Sequence, residues 1–131
     1  MQIKKYKILI TGAEGFIGSH LCEALVKKGA DVKALVLYNS FNNQGWLEDI
    51  PRTIRSNIEV IPGDVRDKEF LASLTKGVDV IFHLAALISI PYSYAAPRSY
   101  LNTNTAGTLN ILEAARASGC SKVISTSTSE V

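Results

Sequence analysis

Cysteine is scarce. The two cysteines, Cys22 and Cys120, lie far apart and show no CxxC or metal-ligand spacing. That excludes a disulfide scaffold and reads as two reduced thiols of a cytosolic protein. An excess of either charge is also missing, with 14 Lys and Arg against 12 Asp and Glu and a net charge of +2. So even a balance gives no ground for a nucleic-acid or membrane-surface partner, and neither is expected. Long hydrophobic runs are absent too. After Lys4, Lys5 and Lys7 the apolar stretch covers only Ile8 to Ile10 before Thr11 and Gly12, too short for a signal-peptide core. The longest stretch, Val78 to Ile90, is interrupted by Asp79, His83 and Ser89, whereas a membrane helix needs about 20 apolar residues. The expected location is cytoplasmic. No repeat, linker or low-complexity tract is visible. What is there is a chain of 131 residues, 47% hydrophobic and 20% charged. That composition fits one globular domain with a core, not a disordered or collagen-like chain.

Short apolar runs alternate with helix-period segments. Lys7 to Thr11, Val32 to Tyr38, Ile58 to Ile61, Val78 to His83 and Lys122 to Ser125 read as strands. They are near-continuous Val/Ile/Leu runs, as burial on both faces of a sheet requires. Phe16 to Gly29 places Ile17, Leu21, Leu25 and Val26 near one helical face, with Gly29 as a stop. Asp67 to Lys76 predicts a short helix with Asp67 as N-cap. Trp46 to Ile50 predicts one helical turn closed by Pro51, and Arg98 to Ser118 a long helix ending at Gly119. Asn39 to Gly45 is an uncharged polar loop. This alternation predicts an α/β fold: a five-stranded parallel sheet in the order 3-2-1-4-5, flanked by helices.

Thr11-Gly12-Ala13-Glu14-Gly15-Phe16-Ile17-Gly18 joins the first strand to the first helix. Gly12 permits a tight turn, Gly15 lets the backbone approach a ligand, and Gly18 lets the helix pack close to the sheet. The amides at the helix start, Phe16 and Ile17 included, then face a diphosphate, aided by the helix dipole. The spacing is GxxGxxG rather than GxGxxG, and no Gly-Lys-Ser/Thr of a P-loop follows. Glu14 is an awkward charge beside a diphosphate, and its side chain is expected to point to water.

This octapeptide resembles the TGxxGxxG fingerprint of the extended short-chain dehydrogenase/reductase family, the nucleotide-sugar epimerases and dehydratases. Other motifs follow at family-like spacing. Gly63-Asp64-Val65-Arg66-Asp67 resembles GDxRD, where Asp64 and the backbone of Val65 would hold adenine. Leu84, Ala85 and Ala86 after His83 resemble HLAA, beside the cofactor. Asn104 to Asn110 resembles NxxGTxN, and Ser127 to Val131 resembles the S-T-x-E-V stretch after strand five. The resemblance implies a Rossmann-type NAD(P)-binding domain over residues 1–131, the N-terminal part of a longer enzyme that dimerises through helices including the one matching Arg98 to Ser118. Bland readings stand beside these. Asp64 can cap a turn, His83 reads as a buried strand-end histidine, and Asn104 can tie the helix start to backbone. Leu87 to Tyr94 can simply cover the sheet, though the family places it near the sugar and makes Ser89 and Ser93 substrate candidates.

The end of strand two selects the nicotinamide. An acid there would bond the ribose hydroxyls and an Arg would hold a 2′-phosphate. The chain offers Tyr38, Asn39 and Ser40, with no charge between Lys33 and Glu48. Asn39 and Ser40 suit neutral hydroxyls, so NAD is expected rather than NADP.

By resemblance, Thr128 matches the residue that bonds the sugar C4 oxygen. Glu130 matches the C5 base of 4,6-dehydratases, and Ser129 stands where many of them carry an Asp acid. The implied activity is nucleotide-sugar 4,6-dehydration. UDP-glucuronate decarboxylation, supported by the Ser-Glu pair, and 4-epimerisation are the alternatives within the family. A non-catalytic dinucleotide-binding module is the alternative outside it. Leu35 to Leu47 looks most like 4,6-dehydratases of legionaminic acid synthesis. The family's Tyr-x-x-x-Lys is absent: no Lys follows four residues after Tyr6, Tyr38, Tyr92, Tyr94 or Tyr100.

Overall fold

Strand β1 (Lys7–Thr11) has every residue after Lys7 buried, so it can only be a central strand. The computed structural model, which describes Ile3 and residues 5–128, places it there. β2 (Asp31–Leu37) and β4 (Val80–His83) flank it, β3 (Ile58–Gly63) lies beyond β2, and β5 (Lys122–Ser125) lies beyond β4. All pairings are parallel, and the order is the expected 3-2-1-4-5. β3 runs two residues past its predicted end, through Pro62. An edge strand tolerates proline because one side of its ladder bonds nothing.

The side chains of β1 alternate between two packed layers. Ile8 and Ile10 join Cys22 and Leu25 of α1 (Phe16–Lys27), with Val32, Ala34 and Leu47. Leu9 points the other way, to Leu71 and Leu74 of α3 (Lys68–Leu74) and to Ile111 and Ala114 of α6 (Gly107–Ser118). Burial pushes the Cys22 thiol up to about 12, so it is a packing group and not a nucleophile.

Helix ends follow local chemistry. Asp67 caps α3 as expected, its Oδ1 accepting the Phe70 N–H at 3.0 Å. α6 stops at Gly119, which takes φ +74. Trp46 to Ile50 becomes a 3-10 turn over Gly45–Asp49, followed by α2 (Arg52–Arg55), a single turn that the pattern did not announce. Arg98 to Ser118 is not uniform. It divides into α5 (Pro97–Tyr100), a π-helical stretch (Leu101–Ala106) and α6.

Leu87 to Tyr94 does not cover the sheet. Its second half forms α4 (Ile90–Ala95), with Pro91 in the first turn, and Ile88, Ile90 and Tyr94 face water. Among the described residues, no helix is long and apolar enough to cross a membrane.

Burial decides which α6 substitutions matter. Ile111 is fully buried between α3 and the sheet, while neighbouring Leu112 is 48% exposed. Ile111→Ala should cost about 2–4 kcal/mol and Leu112→Ala less than about 0.5 kcal/mol, both read from urea denaturation. Equal costs would contradict this packing.

Candidate functional site

Parallel sheets present ligands at the C-terminal ends of their strands. At that edge the chain gathers most of the residues singled out by sequence: the Gly12–Gly18 loop after β1, Tyr38 to Ser40 after β2, Asp64 and Val65 after β3, and Leu84 to Ala86 after β4. Thr128 lies beyond β5 and is exposed. Ser129 and Glu130 lie outside the described residues.

The glycines have distinct jobs. Gly12 takes φ +67, and a Cβ there would lie 2.8 Å from the Ala85 nitrogen, so the loop rests directly on the chain leaving β4. A Cβ at Gly18 would stand 2.3 Å from the Gly12 oxygen. Gly18 therefore lets the helix close on its own loop rather than on the sheet. Gly15 is different: its φ is −71, and a Cβ would meet only the Gly12 oxygen, at 3.3 Å. Its outer side is open. Gly15 is also the N-cap of α1, with no side-chain cap and no acid in the first turn. The amides of Phe16, Ile17 and Gly18 consequently have no carbonyl partner within the helix. That donor set fits a diphosphate. The side chains of Phe16 and Ile17 are exposed, and Phe16 packs edge-on against Trp46 at 5.5 Å between ring centroids.

Beneath the loop lies a buried polar chain. Thr11 and His83 are paired in register across β1 and β4, and the Thr11 hydroxyl sits 2.8 Å from His83 Nδ1. His83 Nε2 lies 2.9 Å from Thr108 Oγ1, whose hydroxyl donates to the Asn104 carbonyl at 2.7 Å. Thr108 has one proton, so Nε2–H must donate to it, and Nδ1 must accept from Thr11. Thr11 Oγ1 then accepts the N–H groups of Leu84 at 3.2 Å and Ala85 at 3.1 Å. Every valence is used. Burial lowers the His83 pKa below its ordinary value. His83 is thus the neutral strand-end histidine of the bland reading.

The other residues divide by what holds them. Asn104, carried by the π-helical stretch, clamps Leu87: its Oδ1 accepts the Leu87 N–H at 2.8 Å and its Nδ2 donates to the Leu87 carbonyl at 2.9 Å. It positions the backbone beside Ala86 and leaves little for a ligand. The Asn39 amide likewise closes its own loop, donating to the Asn43 carbonyl at 2.8 Å and accepting the Asn43 N–H at 3.0 Å. Tyr38 is 69% exposed and Ser40 is exposed. The Arg66 guanidinium grips both oxygens of Asp64, and that hydrogen bond holds the carboxyl below its usual range. The Val65 side chain is buried against the position of Gly107, so only its backbone can serve a ligand. The Ser93 hydroxyl donates to the Ile90 carbonyl at 2.6 Å, and the Ser89 carbonyl accepts from Tyr100.

Glu14 departs from expectation. It does not point to water; its Oε1 accepts the Leu37 N–H at 3.0 Å, and its Oε2 is buried. The strand-end acid that the sequence seemed to lack is supplied from the glycine loop. The uncharged turn Asn39 to Gly45 brings no acid to the Leu37 N–H, and Glu14, 23 residues earlier in sequence and on the loop after the neighbouring strand, accepts it.

The His83 chain makes stability depend on pH. Unfolding restores an ordinary histidine, which binds a proton more readily than the buried one. Stability is therefore full above about pH 6.5 and falls as pH drops below it, because the unfolded state takes up the extra proton. Urea midpoints between about pH 7.5 and pH 5.5 should fall more in the wild type than in His83→Gln. Equal slopes would contradict the neutral assignment.

The sequence profile of the GDP-mannose 4,6-dehydratase family matches residues 9–131. Among curated relatives, the UDP-N-acetyl-alpha-D-glucosaminuronate decarboxylase of Bacillus cytotoxicus is 40% identical over 127 residues, covering 97% of this chain and 38% of that protein. The chain thus spans about two fifths of that relative's length. The X-ray structure of Pen from Bacillus thuringiensis superposes with a TM-score of 0.87 at 29% identity, over 97% of this chain and 38% of that one. The UDP-glucose-4-epimerase of Stenotrophomonas maltophila, solved with bound NAD and formylated UDP-arabinopyranose, gives a TM-score of 0.81 at 28% identity, over 96% of this chain and 38% of that one. With its fold, glycine loop and strand-end motifs, the chain belongs to the extended short-chain dehydrogenase/reductase family of NAD-dependent sugar epimerases and dehydratases.

Proposed function

We propose that this chain is the NAD-binding part of an enzyme that oxidises a UDP-sugar at C4 and ends in 4-epimerisation or decarboxylation. The observation that carries the reading is the uncapped start of α1 at Gly15, open on its outer side and set at the sheet's ligand edge. NAD, when bound, supplies a hydride acceptor for the sugar. The chain's own residues do the rest of the holding. The amides of Phe16, Ile17 and Gly18 would receive the diphosphate, and the Thr11–His83–Thr108 chain fixes Leu84 and Ala85 beneath it. Asn104 keeps Leu87 at the rim, where the sugar would approach.

The choice between outcomes rests on the relatives. Beside the GDP-mannose 4,6-dehydratase profile, two of the relatives are a decarboxylase and a 4-epimerase, and both of those chemistries proceed from a C4 ketone. The 4,6-dehydratase expectation depended on Glu130, outside the described residues, and becomes the second reading; the legionaminic acid assignment gains no support. A homodimer also belongs to the proposal, since α6 leaves Leu109 and Leu112 exposed.

With the complete enzyme, UDP-glucuronate and NAD+ should yield a C4 epimer or carbon dioxide, followed by nuclear magnetic resonance of the sugar. A 4-keto-6-deoxy product from UDP-N-acetylglucosamine would favour dehydration instead. Two glycine variants test the cradle itself. Gly15→Val fits the extended backbone and should keep the melting temperature while weakening NAD+ at least about tenfold, or 1.4 kcal/mol. Gly18→Val should destabilise the fold, because its Cβ has no room. Unchanged NAD+ affinity in a folded Gly15→Val variant would remove the loop from the site.

A further inference from the structure

Glu14 lies in the middle of the glycine loop but acts at the end of another strand. Its Oε1 accepts the N–H of Leu37, the last residue of β2, at 3.0 Å. Its Oε2 is buried and has no hydrogen-bond partner among the described residues. The Glu14 main chain is enclosed as well. Its carbonyl accepts the Trp46 N–H at 3.0 Å, and a Cβ at Gly45 would lie 2.5 Å from that oxygen. Among the described residues no cation pairs with its carboxylate. The ion pairs formed among the described residues lie elsewhere, and Arg55, which enters the same loop, donates to Gln44 Oε1 at 2.7 Å. The sequence places no charge at all between Lys33 and Glu48.

We propose that Glu14 sets the cofactor preference of this site, rejecting a dinucleotide that carries a 2′-phosphate and accepting one with a free 2′-hydroxyl. The inference rests on the dinucleotide reading above and adds to it the group that discriminates. In this topology the adenosine ribose lies just beyond the end of the second strand. A carboxylate fixed there, with one oxygen buried and no counterion among the described residues, is poorly screened by salt and water. A 2′-phosphate would bring up to two further negative charges to the same place, with no Arg or Lys at Tyr38, Asn39 or Ser40 to hold them. A neutral hydroxyl meets no such penalty. The arrangement differs from a strand-end acid that reaches the ribose directly: here the acid is tied to backbone and works by its field.

The test is calorimetric titration of the protein with NAD+ and with NADP+, in the wild type and in Glu14→Gln. Glutamine keeps an oxygen for the Leu37 N–H and removes only the charge. Wild type should bind NAD+ at least about tenfold more tightly than NADP+. In Glu14→Gln that ratio should shrink by about tenfold, chiefly because NADP+ tightens. Thermal melting confirms that the variant is folded. An unchanged ratio in a folded variant overturns the proposal. So does a wild type that binds the two alike, a result that needs no variant. A folded wild type that binds neither dinucleotide overturns the functional reading itself, and is distinct from both.

Discussion

One buried hydroxyl organises the ligand edge of this sheet. Thr11 ends β1 in the centre of the fold, and its side chain donates to His83 while accepting the amides of Leu84 and Ala85. Those amides leave β4 at the point where the ladder stops; the Leu84 N–H also reaches the Thr11 carbonyl at 3.2 Å, while the part-buried Ala85 N–H depends on the hydroxyl. An unpaired buried donor costs about 1–3 kcal/mol. Satisfying both draws the chain after β4 inward until it touches Gly12. The glycine loop then packs so closely that a Cβ at Gly12 or Gly18 would collide with backbone. The close packing of the phosphate loop thus rests on the hydrogen bonding beneath it.

The same logic extends sideways through charge. Glu14 connects the loop to the end of β2, and Trp46, held on the Glu14 carbonyl, packs on Phe16. The uncharged turn from Asn39 to Gly45 is kept in place by Asn39 and by these contacts, not by ion pairs. On the far side, the π-helical stretch delivers Asn104 to Leu87, and the first turn of α6 that follows it delivers Thr108 to His83. π-Helical turns are uncommon and often mark functional sites. Here two side chains four residues apart, Asn104 and Thr108, both hold the end of β4 and the chain that leaves it.

Fold was readable from residues where burial alone decides the outcome. The apolar runs around Ile8 to Ile10, Val32 to Val36 and Val80 to Ile81 are strands in the predicted order, because no other placement buries them on both sides. Asp67 and Gly119 marked helix ends by chemistry that needs no tertiary context. Where partners came from afar, the pattern was silent. Nothing local in Leu101 to Ala106 distinguishes π from α geometry, and nothing near Arg52 to Arg55 has helical periodicity. Within the site, the glycine spacing showed where a ligand would go. It did not show that Gly18 packs on its own loop, that Asn39 closes its own turn, or that Glu14 turns inward. Each of these depends on a contact between segments that are separate in sequence. For Glu14 a signal did exist: an acid in the loop and an acid missing from strand two are complementary facts.

The account stands on a dinucleotide lying across the C-terminal ends of the strands. Amide hydrogen exchange with and without saturating NAD+ tests that most directly, since it reports binding residue by residue without a variant. Protection should rise at Gly12 to Gly18, at Tyr38 to Ser40, at Asp64 and Val65, and at Leu84 to Ala86, with α6 unchanged. Protection confined instead to the open cleft lined by Gln44, Arg52, Arg55 and Val60 would place the ligand away from the glycine loop and contradict the account.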